Sequence, residues 1–256
     1  MKLLRSRLDF IQGPVNDFAP PTTGKMKLGA VETNKSNGRL IAIGDIHGHS
    51  EPLRKILEQI APQTQDTIVS LGDCVNRGPD SRGVIERLLL LEKECKLICI
   101  LGNHEEVMLD CRHDNRGLDR WMHQGGMETL MSYGKSGSVT EVPEDHWDFL
   151  ERFVDSYETD DVAFVHANYE WYLPFDQQPS NLLRWTSIND SEPRPHISGK
   201  KVILGHQPGP IRDQGYYVCI DTGCGFGGAL TAIDVNKGDI RQVSQSSLTP
   251  ASECNF

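Results

Sequence analysis

No apolar run in the sequence approaches the roughly 18 residues that a membrane-spanning helix needs, so a membrane partner is not expected. Basic residues are also in short supply: 26 Lys and Arg face 36 Asp and Glu, for a net charge of −10. A chain with that balance does not attract nucleic acid by charge alone, and its few aromatics (7%) form no stretch interleaved with basic residues. The seven cysteines, Cys74, Cys95, Cys99, Cys111, Cys219, Cys224 and Cys254, include no CxxC pair, which removes the usual zinc and thioredoxin-like spacings. Their odd number argues against a disulfide framework and for thiols in a reducing, cytoplasmic setting. Met1-Lys2-Leu3-Leu4-Arg5 begins like a targeting segment, but Arg7 and Asp9 follow where an apolar stretch should be, so secretion is not expected.

What is present suits a globular fold: 256 residues, 38% hydrophobic and 24% charged. Residues 1–38 carry turn signals such as Gly13-Pro14, Pro20-Pro21 and Asn37-Gly38 with no apolar periodicity between them. They read as a flexible, mildly basic extension. Residues 39–244 read as one domain of βα units, and 245–256 as a short C-terminal tail.

Within that domain a pattern recurs. Arg39–Ile43 leads to Gly44-Asp45, Thr67–Leu71 to Gly72-Asp73, and Leu97–Leu101 to Gly102-Asn103. Helix-like stretches lie between: Glu51–Ile60 puts Leu53, Ile56, Leu57 and Ile60 on one face, and Ser81–Glu92 does the same with Val84, Leu88 and Leu91. A helical middle follows over His104–Cys111, around Trp121, and over Pro143–Val154, where Pro143 is expected at the first helical position. Strands return at Val162–Val165, ending in His166, and at Lys201–Leu204, ending in Gly205-His206. Tyr216–Ile220 and Ala229–Val235 read as a closing pair around the turn that starts at Asp221.

In such α/β sheets ligands bind beyond the C-terminal ends of the strands. Five strand ends present Asp45 and His47, Asp73, Asn103 and His104, His166, and His206. A single Gly-Asp after a strand is usually a turn, and a single His there is usually structural. Five in order, each with a metal-compatible side chain, point instead to a metal site. Oxygen ligands mixed with imidazole suit manganese, iron or zinc, and a central carboxylate can bridge two ions.

The segments Gly44-Asp45-Ile46-His47-Gly48, Gly72-Asp73-Cys74-Val75-Asn76-Arg77-Gly78 and Gly102-Asn103-His104-Glu105 resemble the three signature motifs of the calcineurin-like metallophosphoesterases. More narrowly, the chain is similar over about 39–236 to the small bacterial and bacteriophage lambda-type branch of the phosphoprotein phosphatases. The resemblance implies an α/β fold with a two-sheet, sandwich-like core flanked by helices. It also implies two divalent ions, manganese first. Asp45, His47 and Asp73 would hold one ion, and Asp73, Asn103, His166 and His206 the other, with Asp73 bridging. A metal-bridging hydroxide would attack phosphorus in line, His104 would protonate the leaving group, and Arg77 would grip phosphate oxygens. Arg184, in Leu182-Leu183-Arg184-Trp185, resembles the family's second phosphate-binding arginine. His49, His113, His123, His146 and His196 take surface or structural roles.

One position departs from the family pattern. Asn76 stands where an Asp usually pairs with the catalytic histidine, and Asn is expected to accept the same hydrogen bond without supplying charge. The leading expectation is a serine/threonine protein phosphatase acting on phosphoproteins or small phosphate esters. The rival is a symmetrical dinucleoside tetraphosphatase; Glu105 favours the first and Asn76 leans to the second. An inactive metal-binding scaffold is the non-enzymatic alternative.

Overall fold

The structure is a computed structural model that describes residues 27–29, 38–113 and 117–245. Most of the extension expected over 1–38 and of the tail over 245–256 lies outside the described residues. Within 27–29, Leu28 donates its amide to Gly238 and Lys27 pairs with Asp239.

Strands β1 (Leu40–Ile43), β2 (Thr67–Ser70) and β3 (Lys96–Cys99) run parallel, with Leu40 opposite Thr67 and Thr67 opposite Lys96. Their runs are apolar at successive positions because both faces are covered. Leu40, Ala42, Val69 and Leu71 point one way, while Ile41, Ile43 and Ile68 point the other. The second sheet is built on β5 (Val162–Val165), β6 (Lys201–Leu204) and β8 (Tyr217–Cys219), again parallel, edged by the antiparallel strands β4 (Ser156–Glu158) and β7 (Arg212–Asp213). Val162, Phe164, Ile203 and Val218 face Leu40, Ala42, Val69 and Leu71, so the two sheets share one apolar interior.

Helices cover the outer faces. Over the first sheet lie α1 (Ser50–Ile60), α2 (Ser81–Leu91), α3 (Asn103–His113), α4 (Leu118–His123), α5 (Gly126–Tyr133) and α6 (Glu144–Glu151). The expected apolar stripes of α1 and α2 are buried there, and α2 starts at Asp80, whose carboxylate accepts the Gly83 amide at 2.9 Å. Helix α7 (Ser180–Trp185) covers the second sheet, packing Leu183 against a cluster with Val165 and Leu204. Pro143 sits one place earlier than expected, as the extended residue capping α6.

The expected closing pair of strands is the main topological correction. Strand β8 belongs to the second sheet. Strand β9 (Ala229–Asp234) belongs to the first, antiparallel to β1, and forms its hairpin with β10 (Asp239–Ser244) instead. The turn after Asp221 therefore carries the chain from one sheet to the other. The C-terminal ends of β1, β2 and β3 meet those of β5, β6 and β8 at that crossing.

Candidate active site

Backbone conformation marks the site before any side chain is considered. Among the described residues, six other than glycine have positive φ, and five of them are His47, Asp73, Asn76, Arg77 and His206, at 47° to 70°. Such conformations cost energy in side-chain-bearing residues and persist where the surroundings impose them. Gly102 shows the crowding: a Cβ there would lie 2.2 Å from an Asp73 oxygen, so the loops after β2 and β3 can meet only if that residue is glycine.

Asp73 is the centre. One oxygen lies 3.6 Å from His47 Nε2 and 3.9 Å from His104 Nε2, and the other 3.4 Å from His166 Nε2. On the second side, Asn103 Oδ1, His166 Nε2 and His206 Nδ1 form a triangle with all three edges 3.1 Å. That is the spacing of neighbouring ligands around a cation with bonds of about 2.1–2.2 Å. His47, Asp73 and His104, and separately Asp73, His166 and His206, each bring ligand atoms within 4.8 Å of one another. Asp73 belongs to both groups. Asp45 stands just behind, both oxygens accepting the His206 amide at 3.2 and 3.1 Å.

The tautomers suit metal ligation. His166 Nδ1 bonds the Leu71 carbonyl at 2.7 Å and His47 Nδ1 the Val75 carbonyl at 3.2 Å, leaving both Nε2 lone pairs aimed inward. Charge balance agrees. Burial, then Asp221 and Asp73, raise the Asp45 carboxyl well above the ordinary range; burial raises Asp221 to about 6. Burial would raise Asp73 too, but His166, His104 and His47 outweigh it and hold that carboxyl well below the ordinary range. Burial opposes charge on His166, yet the adjacent Asp73 raises it to about 10. Burial lowers His206 to about 4, with His166 adding to the effect. Crowded carboxylates and inward lone pairs together form a donor set that divalent cations fit.

His104 is held differently from expectation. Asn76 is fully buried, and its Oδ1 accepts from Trp121 Nε1 and from the Thr129 hydroxyl, both at 2.9 Å. An indole N–H can only donate, which fixes the amide orientation. The Asn76 NH2 therefore faces His104 Nδ1, at 2.9 Å. Asn76 donates where the expectation had it accept, and Nδ1 of the neutral ring carries the lone pair. Burial lowers His104 to about 4, helped by Arg77 and His166 and opposed by Asp73. Arg77 reaches over this edge, its Nη1 3.3 Å from His47 Nε2 and its Nη2 3.2 Å from His104 Nε2.

A sequence model of the calcineurin-like phosphoesterases matches residues 38–226, which spans all of these side chains. The chain belongs to that family. As a calcineurin-like phosphoesterase it is a metal-dependent hydrolase of phosphate esters. It is 31% identical over 199 residues to serine/threonine-protein phosphatase 1 of Salmonella typhimurium, covering 74% of this chain and 88% of that protein. It is also 23% identical over 268 residues to the symmetrical bis(5'-nucleosyl)-tetraphosphatase of Ectopseudomonas mendocina, covering 78% and 96%. A solved structure provisionally assigned as a diadenosine tetraphosphatase shares the fold, with a TM-score of 0.65, 23% identity, and 84% and 96% of the two chains covered.

Arg184 is committed to carboxylates in this phosphoesterase. Its guanidinium bonds Asp155 and Glu106, each with a contact of 2.5 Å, so a phosphate would have to compete with both. Its neighbour Trp185 donates its indole N–H to Glu106. Two residues were given no site role from the sequence. Asp221 follows β8 as Asp45 follows β1, and the strand-end rule applied to β8 would have found it. Glu105 is fully buried, and its two oxygens accept four backbone amides: Asp73 at 2.8 Å, Gly102 at 3.1 Å, Cys74 at 2.6 Å and Val75 at 3.2 Å. It shapes the loop of the central carboxylate. Burial, with Asp73 adding, raises it to about 7.

Proposed function

We propose that the chain hydrolyses a phosphoanhydride, and that its substrate is a dinucleoside tetraphosphate cut at the central bridge. The observation that carries this reading is the polarity of the Asn76–His104 contact. A serine or threonine alkoxide leaves with a basicity near that of hydroxide, whose conjugate acid has a pKa of about 15.7, and it needs a proton as it goes. To supply one, His104 would first have to carry protons on both nitrogens, and the Nδ1 proton would point at the Asn76 NH2. Burial and the Arg77 guanidinium oppose the same state. The phosphate released from an anhydride has a pKa of about 6 and departs as an anion. A neutral His104 can then orient it through Nε2–H without giving up a proton.

Divalent cations bound in the cluster would supply Lewis acidity at the phosphoryl oxygens and would lower the pKa of a water toward neutrality. Asp45, His47, Asp73, Asn103, His166 and His206 are the residues to hold them, and manganese is the ion to load first. The planar fork of Arg77 faces the same edge and suits two phosphate oxygens. The symmetrical tetraphosphatase among the similar proteins supports this reading, and the Salmonella phosphatase supports the other. Glu105, which favoured a protein phosphatase, has both oxygens occupied by loop amides.

The test is a set of steady-state rates with manganese on diadenosine tetraphosphate, a phosphoserine peptide, a phosphothreonine peptide and an aryl phosphate. The dinucleotide is expected to yield ADP alone and to exceed either peptide in kcat/KM by at least about a hundredfold, the size of a general-acid contribution. A peptide in the lead overturns the proposal. Chelation followed by manganese rescue separates an enzyme from a scaffold, which releases no phosphate in either state.

A further inference from the structure

Arg77 is fixed at its backbone by an unusual turn, with φ 68° and its amide bonded to the Gly125 carbonyl at 3.1 Å. That leaves the plane of its guanidinium to be set by what lies against it. The ring of Phe226 does so, with the guanidinium carbon 4.2 Å from the ring centroid. The same ring meets His47 edge-on at a centroid distance of 6.4 Å. Phe226 thus touches both the phosphate-facing arginine and a candidate metal ligand.

The chain reaches this position by a tight turn between β8 and β9. Gly225 packs flat against His47; a Cβ there would come within 2.4 Å of the imidazole. Gly223 bonds the Asp221 carboxylate at 2.9 Å, Phe226 donates its amide back to Gly223 at 2.8 Å, and Gln245 holds the Cys224 carbonyl from outside. The turn is pinned on both sides. Phe226 is nonetheless 44% exposed, so its ring is not there to fill a core.

We infer that Phe226 is a positioning residue for phosphate binding, holding the Arg77 guanidinium flat so that its fork faces the metal cluster. Of the two histidine Nε2 atoms beside that guanidinium, that of His47 is free to accept, while that of His104 carries the neutral ring's proton. A cation held by His47 would take that lone pair, leaving the Phe226 ring as the broad surface that keeps Arg77 from swinging into solvent. Stacking of this kind restricts a long side chain before the ligand arrives, so less entropy is lost on binding. The inference rests on the phosphoesterase reading of the site but not on which ester is cut.

The experiment uses the manganese-loaded full chain with an aryl phosphate as substrate and inorganic phosphate as inhibitor. Phe226→Leu, which keeps bulk and loses the π face, is expected to raise both KM and the phosphate inhibition constant about fivefold or more, with kcat changed less. Phe226→Tyr restores both, and manganese affinity by calorimetry is the same in all three proteins. In an Arg77→Ala background, Phe226→Leu has no further effect. Unchanged phosphate inhibition in Phe226→Leu, a loss of manganese affinity alongside it, or an undiminished effect without Arg77 would each overturn the assignment. Because the exposed ring leaves the core intact, thermal melting of Phe226→Leu is expected to match the parent. If it does not, the Tyr variant and the Arg77→Ala pair still decide the matter.

Discussion

Trp121 donates its indole N–H to the carbonyl oxygen of Asn76 at 2.9 Å, across 45 positions of sequence, and so decides what Asn76 offers to His104. Replacing Asn76→Asp puts a charged acceptor at Nδ1, which raises the His104 pKa and lets the ring hold a second proton. The rate on a phosphoserine peptide relative to diadenosine tetraphosphate is expected to rise about tenfold or more. Parallel steady-state assays of the two proteins check this; an unchanged ratio removes the role given to the amide.

Glu105→Gln keeps the size of the side chain and turns one acceptor oxygen into a donor. Each oxygen serves two backbone amides, so two buried N–H groups lose their partner. At about 1–3 kcal/mol each, the melting temperature is expected to fall by roughly 5–15 °C, with weaker manganese binding because the Asp73 loop is no longer held. Calorimetry and thermal melting of the variant measure both. If neither changes, the loop does not depend on that carboxylate.

Asp73 is shared by the two ligand groups, whereas Asn103 and His206 stand on one side only. Asp73→Asn is therefore expected to abolish tight binding of both ions, and Asn103→Ala that of one. Titration of the chelated protein with manganese counts the sites. Two ions retained by Asp73→Asn would contradict a bridging carboxylate.

Stability of the metal-free protein should depend on pH through His166. Its folded pKa is raised to about 10, against about 6.5 for a free imidazole, so the folded state holds a proton that the unfolded chain has lost. Stability from this pair is complete below about pH 6.5 and is lost as pH rises through 10. Melting temperatures of the chelated protein are expected to fall between pH 7 and 10, and those of the manganese form to fall less, since a cation takes the Nε2 lone pair. Parallel pH dependence in the two forms contradicts the Asp73–His166 pairing.

The strand ends were legible because each couples a short apolar run to Gly-Asp, Gly-Asn or His, and the placement of Asp45, Asp73, Asn103, His166 and His206 follows from that register. The crossing between sheets was not. Tyr216–Ile220, a glycine-rich turn and Ala229–Val235 carry the local signals of a hairpin, and only the pairing of Val218 with Ile203 and of Ile233 with Ala42 separates the two strands. Glu105 looked like a motif letter because its partners are backbone amides, which leave no trace in a sequence. Asn76 could be named as a departure, but its polarity depends on Trp121 and Thr129, which reach it from α4 and α5.

The most direct test of the account is the dependence of kcat/KM on leaving-group pKa, measured with manganese across aryl phosphates, an alkyl phosphate and diadenosine tetraphosphate. A site whose histidine does not donate a proton predicts a steep fall as the leaving group becomes more basic, with Asn76→Asp flattening the slope. A shallow slope in the parent enzyme, with alkyl and aryl esters cut at similar rates, would show that His104 acts as a general acid despite Asn76 and would contradict the anhydride reading.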